Sequence, residues 1–134
     1  MATTATISQR ELKRLAALGY ETRTLKVMLC AVGESGFTPE STVANWQSVE
    51  IIGNGYARYT ATIGTGTYSD VTASYNMPVI DASFTANGDG YSYDRVITYI
   101  NGETYIHSVV AEDPNVTLAP GQTQTYRIEL ATDD

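Results

Sequence analysis

The chain has 134 residues, of which 43% are hydrophobic and 17% charged, and it carries a formal net charge of −7. That length suits one ordinary domain able to bury a core without staples, and the composition is that of a folded chain with few charges rather than a disordered one. The acidic balance argues against general nucleic-acid binding, the lone Cys30 excludes an intramolecular disulfide framework, and no stretch reads as a secretory h-region or a membrane span.

The charge is divided unevenly. Residues 1–26 hold Arg10, Lys13, Arg14, Arg23 and Lys26 against Glu11 and Glu21, so this end is +3 and the remainder −10. A cationic arm on an anionic body suits a neighbouring copy or an acidic partner, unless the basic residues are simply a solvated helix face. Ten tyrosines against one tryptophan and two phenylalanines, with frequent Thr and Val, favour strands and suit interfaces.

In chain order, Ser8-Gln9-Arg10-Glu11 is a capping box with Ile7 and Leu12 as its hydrophobic staple, and Gly19 stands where a left-handed residue would end the helix. Leu12, Leu15, Ala16 and Leu18 give about ten helical residues an apolar stripe, while Arg10, Lys13 and Arg14 spread over the rest. So short a helix is marginal alone and must dock on something. The division is an arm over 1–21 and a β domain over 22–134.

Thr22 to Val32 reads as a central strand, apolar on both faces, with Cys30 as a buried, inert thiol. Thr38 and Pro39 predict an N-cap and first helical position, and Trp46 is expected to anchor this excursion by core packing rather than ligand stacking. Further strands are expected at Ser48–Ile52, Tyr56–Ile63, Thr67–Tyr75, Val79–Ala86, Val116–Leu118 and Thr123–Ala131. Between them stand turns, among them Gly53-Asn54-Gly55, Asn87-Gly88-Asp89-Gly90 and Glu112-Asp113-Pro114. The fold expected is mainly β, an antiparallel β-sandwich of about eight strands with a short N-terminal helix.

The strongest local signal is Asn101-Gly102, between two strand-forming runs from Tyr91 to Val110. A two-residue type I′ turn there pairs Thr98 with Tyr105 and Val96 with His107 on one face, and Tyr99 with Thr104 and Ile97 with Ile106 on the other. Both faces are too apolar for open solvent. One is expected to lie under the remaining strands with Trp46, the other against another protein.

Motifs for chemistry are weak. His107 is the only histidine, so any Ser-His-Asp or Cys-His arrangement must use it, and a satisfied strand histidine is the commoner situation. No metal cluster can draw on a second His or Cys, and the Asn87 to Gly90 turn lacks the alternating oxygen ligands of a calcium loop. Gly53-Asn54-Gly55 and Gly64-Thr65-Gly66 open no helix and imply no phosphate site, and Asn115-Val116-Thr117 is a glycosylation sequon in form alone. Asp81, Asp89, Asp94 and Glu103 are the carboxylates that a glycosidase would have to bring together. No enzyme activity and no cofactor are expected.

The segments Leu25-Lys26-Val27-Met28-Leu29, Gly53-Asn54-Gly55-Tyr56-Ala57-Arg58 and Arg95-Val96-Ile97-Thr98-Tyr99, followed by Val116 to Tyr126, come in an order that resembles small β proteins of tailed-bacteriophage virions. The resemblance covers most of 25–131 and leaves out the capped helix. It implies a structural virion protein, assembled in the cytoplasm of a bacterial host. The leading expectation is a capsid cement or decoration protein that binds the major capsid protein and copies of itself, with no nucleic acid or membrane partner. A tail-fibre or baseplate domain binding a surface glycan is the alternative. The interface residues expected are Arg10, Leu12, Lys13, Arg14, Leu15 and Tyr20 of the arm with Tyr99 and Tyr105 of the hairpin.

Overall fold

The computed structural model describes residues 19, 21–32, 37–72 and 74–129. The arm residues Arg10, Leu12, Lys13, Arg14, Leu15 and Tyr20, and the capping box at Ser8, lie outside them. In chain order the elements are β1 (Thr24–Cys30), α1 (Val43–Gln47), β2 (Tyr59–Thr62), β3 (Thr67–Ser69), β4 (Ser74–Asn76), β5 (Ile80–Thr85), β6 (Tyr91–Ile100), β7 (Ser108–Leu118) and β8 (Thr123–Ile128). All pairings are antiparallel. They build a four-stranded sheet in the order β2-β1-β6-β7 and the two-stranded pairs β3-β4 and β5-β8. The expected mainly β character is therefore observed; the described helix is α1, and the expected N-terminal helix lies outside the described residues.

The sheet is organised around β1 and β6, which lie side by side at its centre and are apolar on both faces, as central strands should be. Leu25, Val27 and Leu29 point to one side with Val96 and Ile100. There they meet Ile80, Ala82 and Phe84 of β5, with Tyr126 and Ile128 of β8 packed at the margin. β5 alternates buried and exposed residues along its whole length, the period-two pattern of a strand with one covered face. Its outward face, with that of β8, is a polar ladder in which the hydroxyls of Ser83 and Thr125 lie 2.8 Å apart and those of Thr85 and Thr123 2.6 Å.

Met28, Cys30, Ile97 and Tyr99 point to the other side, where Val43 and Trp46 of α1 cover them, with Phe37, Val49, Ile106 and Val109 packed at the edge. This overturns the expectation that a second protein covers that face. Trp46 is only 1% exposed and packs on the face opposite to β5 and β8, with Phe37 edge-on at 5.4 Å between ring centroids. A single turn of helix suffices because one large indole fills what would otherwise need another strand.

The helix begins later than Thr38 and Pro39 suggest. Thr38 makes a local turn, accepting from the Glu40 N–H at 3.2 Å through its hydroxyl and from the Ser41 N–H at 2.9 Å through its carbonyl. The N-cap is Thr42, whose hydroxyl accepts from the Asn45 N–H at 3.1 Å while the Asn45 side-chain oxygen accepts from the Thr42 N–H at 3.0 Å.

The Asn101-Gly102 turn also differs from expectation. Gly102 has φ of +95° while Asn101 is not among the residues with positive φ, and the Glu103 N–H donates to the Ile100 carbonyl at 3.0 Å. That is the dihedral pattern of a type II turn, not of the type I′ turn that closes a tight hairpin. Pairing of β6 with β7 therefore begins at Thr98 with Ser108 and not with Tyr105, a shift of three residues that places Val110, not His107, opposite Val96. The cause is tertiary. β6 stays in register with β1 up to Ile100 opposite Leu25, while the returning chain is drawn to the helix start, where the Thr104 carbonyl accepts from the Val43 N–H at 2.8 Å and Tyr105 bridges to Thr42. One otherwise unpaired N–H of the helix N-terminus is satisfied in this way.

Three smaller differences follow from backbone hydrogen bonding. The run from Thr67 to Tyr75 breaks at a turn into β3 and β4. Ser48–Ile52 is not a strand: Ser48 caps α1, and the next residues touch the edge of β1 through Ala31 N–H to Val49 carbonyl and Ile51 N–H to Leu29 carbonyl, both at 3.0 Å. Glu112-Asp113-Pro114 does not end a strand but lies inside β7, as a bulge between the pairs Tyr93 with Val116 and Arg95 with Ala111. A bulge is where a strand can hold a proline, which has no N–H for the ladder.

Candidate functional site

Of the expected interface residues, Tyr105 alone is both described and exposed, and it lies in the segment 101–107 at the end of β6. On one side of it lies a cleft of about 480 Å³ lined by Gly19, Ile100, Glu103, Thr104, Tyr105, Ile106 and His107. On the other is a hollow of about 450 Å³ against Thr42, Val43, Ala44 and Gln47, with Glu103 and Thr104 forming the shared ridge. The ridge is held by the Thr104–Val43 hydrogen bond and by Arg23, whose guanidinium reaches Glu103 at 2.9 Å. Both partners of that ion pair are substantially exposed, so it orients the ridge more than it stabilises the fold.

Tyr105 projects from this ridge with 61% of its surface exposed. Among the tyrosines whose side chains are described it is the one classed as exposed. His107 follows; its backbone N–H donates to the Thr98 carbonyl at 2.8 Å, and partial burial of the imidazole lowers its pKa from the ordinary value. Tyr99, expected at the same interface, is instead 3% exposed beneath the α1 excursion. Gly19, where the arm's helix pattern ends, is part of the same cleft wall as Tyr105.

A second polar group lies under the sheet edge. Glu50 receives both forks of Arg58 at 2.7 Å, the Tyr56 hydroxyl donates to Glu50 at 2.5 Å, and Arg58 donates to the Tyr99 hydroxyl at 3.0 Å. The Tyr56 oxygen in turn accepts from the Leu29 N–H at 3.1 Å. Burial and the bond to Glu50 raise the Tyr56 pKa, and the same carboxylate raises that of Arg58, so both keep their protons. This is a tie between β1, β6 and the segment before β2. Its sequence signal was confined to Tyr56 and Arg58 in the Gly53 to Arg58 stretch, and Glu50 stood in a segment that reads as a strand.

Cys30 is chemically quiet. Its thiol is fully buried, donates to the Trp46 carbonyl at 3.3 Å and is pushed up to about 12, by burial first and then by the nearby Glu50 and Asp94 carboxylates. Glycosidase chemistry would need two of the four carboxylates together, and they occupy four different places. Asp81 is across from Arg127 on the polar ladder, Asp89 is in the turn before β6, Asp94 is buried and accepts from the Val32 N–H at 2.9 Å, and Glu103 is on the ridge. Among the described residues no group of three or more His, Cys, Asp or Glu could hold a metal ion, and no helix is long and apolar enough to cross a membrane.

The Gly53-Asn54-Gly55 turn has a structural task. Asn54 donates to the Gly90 carbonyl at 2.8 Å and its own carbonyl accepts from the Asn87 N–H at 2.8 Å, so two turns lock together at one end of the sheet. Gly90, at φ of +76°, comes so close to β7 that a Cβ would stand 2.2 Å from the Leu118 carbonyl oxygen.

No protein-family model, curated protein or solved structure matches the chain.

Proposed function

We propose that this chain is a structural protein of a tailed-bacteriophage virion, without enzymatic activity, and most specifically a capsid cement or decoration protein. Its β5-β8 pair and four-stranded sheet form the two layers of a sandwich that sits on the shell, and the basic arm engages the major capsid protein or a neighbouring copy in the assembled lattice. The observation that carries this reading is the convergence of the arm root at Gly19 and the exposed Tyr105 on one cleft. An anchoring aromatic beside a cationic segment is the composition of a protein-binding surface. The charge division supports it: a +3 arm on a −10 remainder favours association between copies or with an acidic shell.

The tail-fibre reading requires a platform of exposed aromatic side chains for a glycan. Among the tyrosines whose side chains are described, Tyr105 alone is exposed, which favours the cement reading. Co-sedimentation with phage heads stripped of accessory proteins tests it. The purified chain should pellet with the heads, and Tyr105→Asp or the joint change Arg10→Glu, Lys13→Glu, Arg14→Glu should reduce binding by about tenfold or more, on the scale of an interface anchor. Undiminished binding by both variants would remove the proposed role of this end of the molecule.

A further inference from the structure

We propose that Asn101 is a site of spontaneous deamidation, through ring closure by the backbone nitrogen of Gly102, and that the fold withholds the same reaction from Asn54 and Asn87. Asn-Gly occurs at Asn54-Gly55, Asn87-Gly88 and Asn101-Gly102. Asparagine is thermolabile, and a following glycine leaves the attacking nitrogen without a side chain to shield it. All of these asparagines are exposed, so access of water does not separate them. What separates them is the freedom of the carboxamide and of the peptide that must turn toward it. Asn54 and Asn87 hold each other. The Asn54 side chain donates to the Gly90 carbonyl at 2.8 Å and accepts from the Asp89 N–H at 3.4 Å, while its backbone carbonyl accepts from the Asn87 N–H at 2.8 Å. The Asn87 carboxamide lies against Gly55, where a Cβ would stand 2.7 Å from its Cγ, and a Cβ on Gly88 would stand 2.7 Å from the Asn54 Oδ1. Ring closure at either site must first unlock both turns.

The Asn101 turn has no such lock. Among the described residues the Asn101 carboxamide makes no hydrogen bond, and a Cβ on Gly102 would meet nothing within 4 Å. The bond from the Asn101 N–H to the Thr24 carbonyl at 2.9 Å precedes the rotation that ring closure needs and stays in place. Opening the turn gives up the Glu103 N–H to Ile100 carbonyl bond at 3.0 Å and the exposed Arg23–Glu103 ion pair, a small local cost. The Gly102 nitrogen then attacks Asn101 Cγ as it loses its proton. The new C–N bond closes a cyclic imide, and Nδ2 leaves as ammonia with that proton. Water adds to either imide carbonyl and opens the ring to aspartate or to isoaspartate. Loss of ammonia is one-way. Each conversion places a further carboxylate near Glu103, on the ridge that bears Tyr105, and the isoaspartate form also lengthens the main chain of the turn by a carbon. The inference does not depend on the virion reading.

Incubation of the full-length chain in warm, mildly alkaline heavy-oxygen water, followed by proteolysis in ordinary water and peptide mass mapping, reads each site separately, because only conversion during the incubation carries the heavy oxygen. In the folded chain Asn101 should convert at least about tenfold faster than Asn54 or Asn87, the factor that two hydrogen bonds of ordinary strength impose on local opening. In urea the sites should convert at similar rates, since each is then the same dipeptide in an open chain. Asn54→Gly suits the positive φ of 54° at that position and removes the side chain that holds the second turn, so it should bring Asn87 toward the rate of Asn101. Asn101 converting no faster than Asn54 and Asn87 in the folded chain overturns the proposal. Conversion to aspartate without isoaspartate also overturns it, because direct hydrolysis and not ring closure yields aspartate alone. An Asn87 rate left unchanged by Asn54→Gly, in a chain that still unfolds cooperatively, overturns the lock between the turns.

Discussion

The two faces of the β1–β6 centre are closed by different means. One lies under a pair of strands that come from distant parts of the chain, β5 and β8, and presents a broad aliphatic and aromatic cluster from Leu25 to Leu118. The other lies under an excursion of the chain directly after β1, where five residues of helix place Val43 and Trp46 over Met28, Cys30, Ile97 and Tyr99. The first cover depends on many modest contacts and the second on one large side chain. Both faces are core, so the apolar character of β6 reports its central position and not an assembly surface. Tyr105 is exposed on the ridge where the returning chain detours to the helix.

Large-to-small substitutions test whether the two covers are equivalent. Trp46→Ala and Phe84→Ala should each destabilise the domain by about 3–5 kcal/mol, measured by urea titration. A loss at Trp46 well below that at Phe84 would show the helical cover to be dispensable. At the shared end of the sheet, Gly90→Ala should cost about 2–3 kcal/mol, since the methyl group meets the Leu118 carbonyl in a backbone conformation that only glycine adopts freely. Glu50→Gln keeps the volume but weakens the bonds to Arg58 and Tyr56, and should cost about 1–2 kcal/mol, with the effect confined to the edge where the two covers meet.

The smallest effect concerns His107. Burial lowers its pKa in the folded chain, so the unfolded chain binds the proton more readily. This group's contribution is intact above the unfolded value of about 6.5 and is lost as the pH falls below it and through the native value. His107→Gln should make the fall of the melting temperature between about pH 6.5 and 5 shallower, and an unchanged slope would place the imidazole in solvent.

Much of the strand content was legible because it is encoded locally. The alternation of Ile80, Ala82 and Phe84, the two-sided apolar run of β1 and the glycine turns each follow from period and backbone preference. What was not legible depends on partners far away in sequence. Asn101-Gly102 permits a tight hairpin, yet the Thr104–Val43 hydrogen bond and the hold of β1 on Ile100 favour a wider loop, and an odd shift of three residues exchanges the faces of β7. Thr42 with Asn45 is a readable cap, overshadowed by the stronger Thr38-Pro39 pair. Tyr105 was readable as an interface candidate only together with Tyr99, because nothing in the local pattern tells that one of them lies under Trp46.

The central claim is that β6 is buried on both sides by this chain alone. The most direct measurement is the unfolding of Val96→Asp and Ile97→Asp side by side, since these neighbours face opposite clusters and are each about 1% exposed or less. A charge buried without a partner should abolish cooperative unfolding in both variants. A folded Ile97→Asp chain that unfolds cooperatively near the wild-type temperature, beside an unfolded Val96→Asp chain, would contradict the account and return the second face to an outside partner.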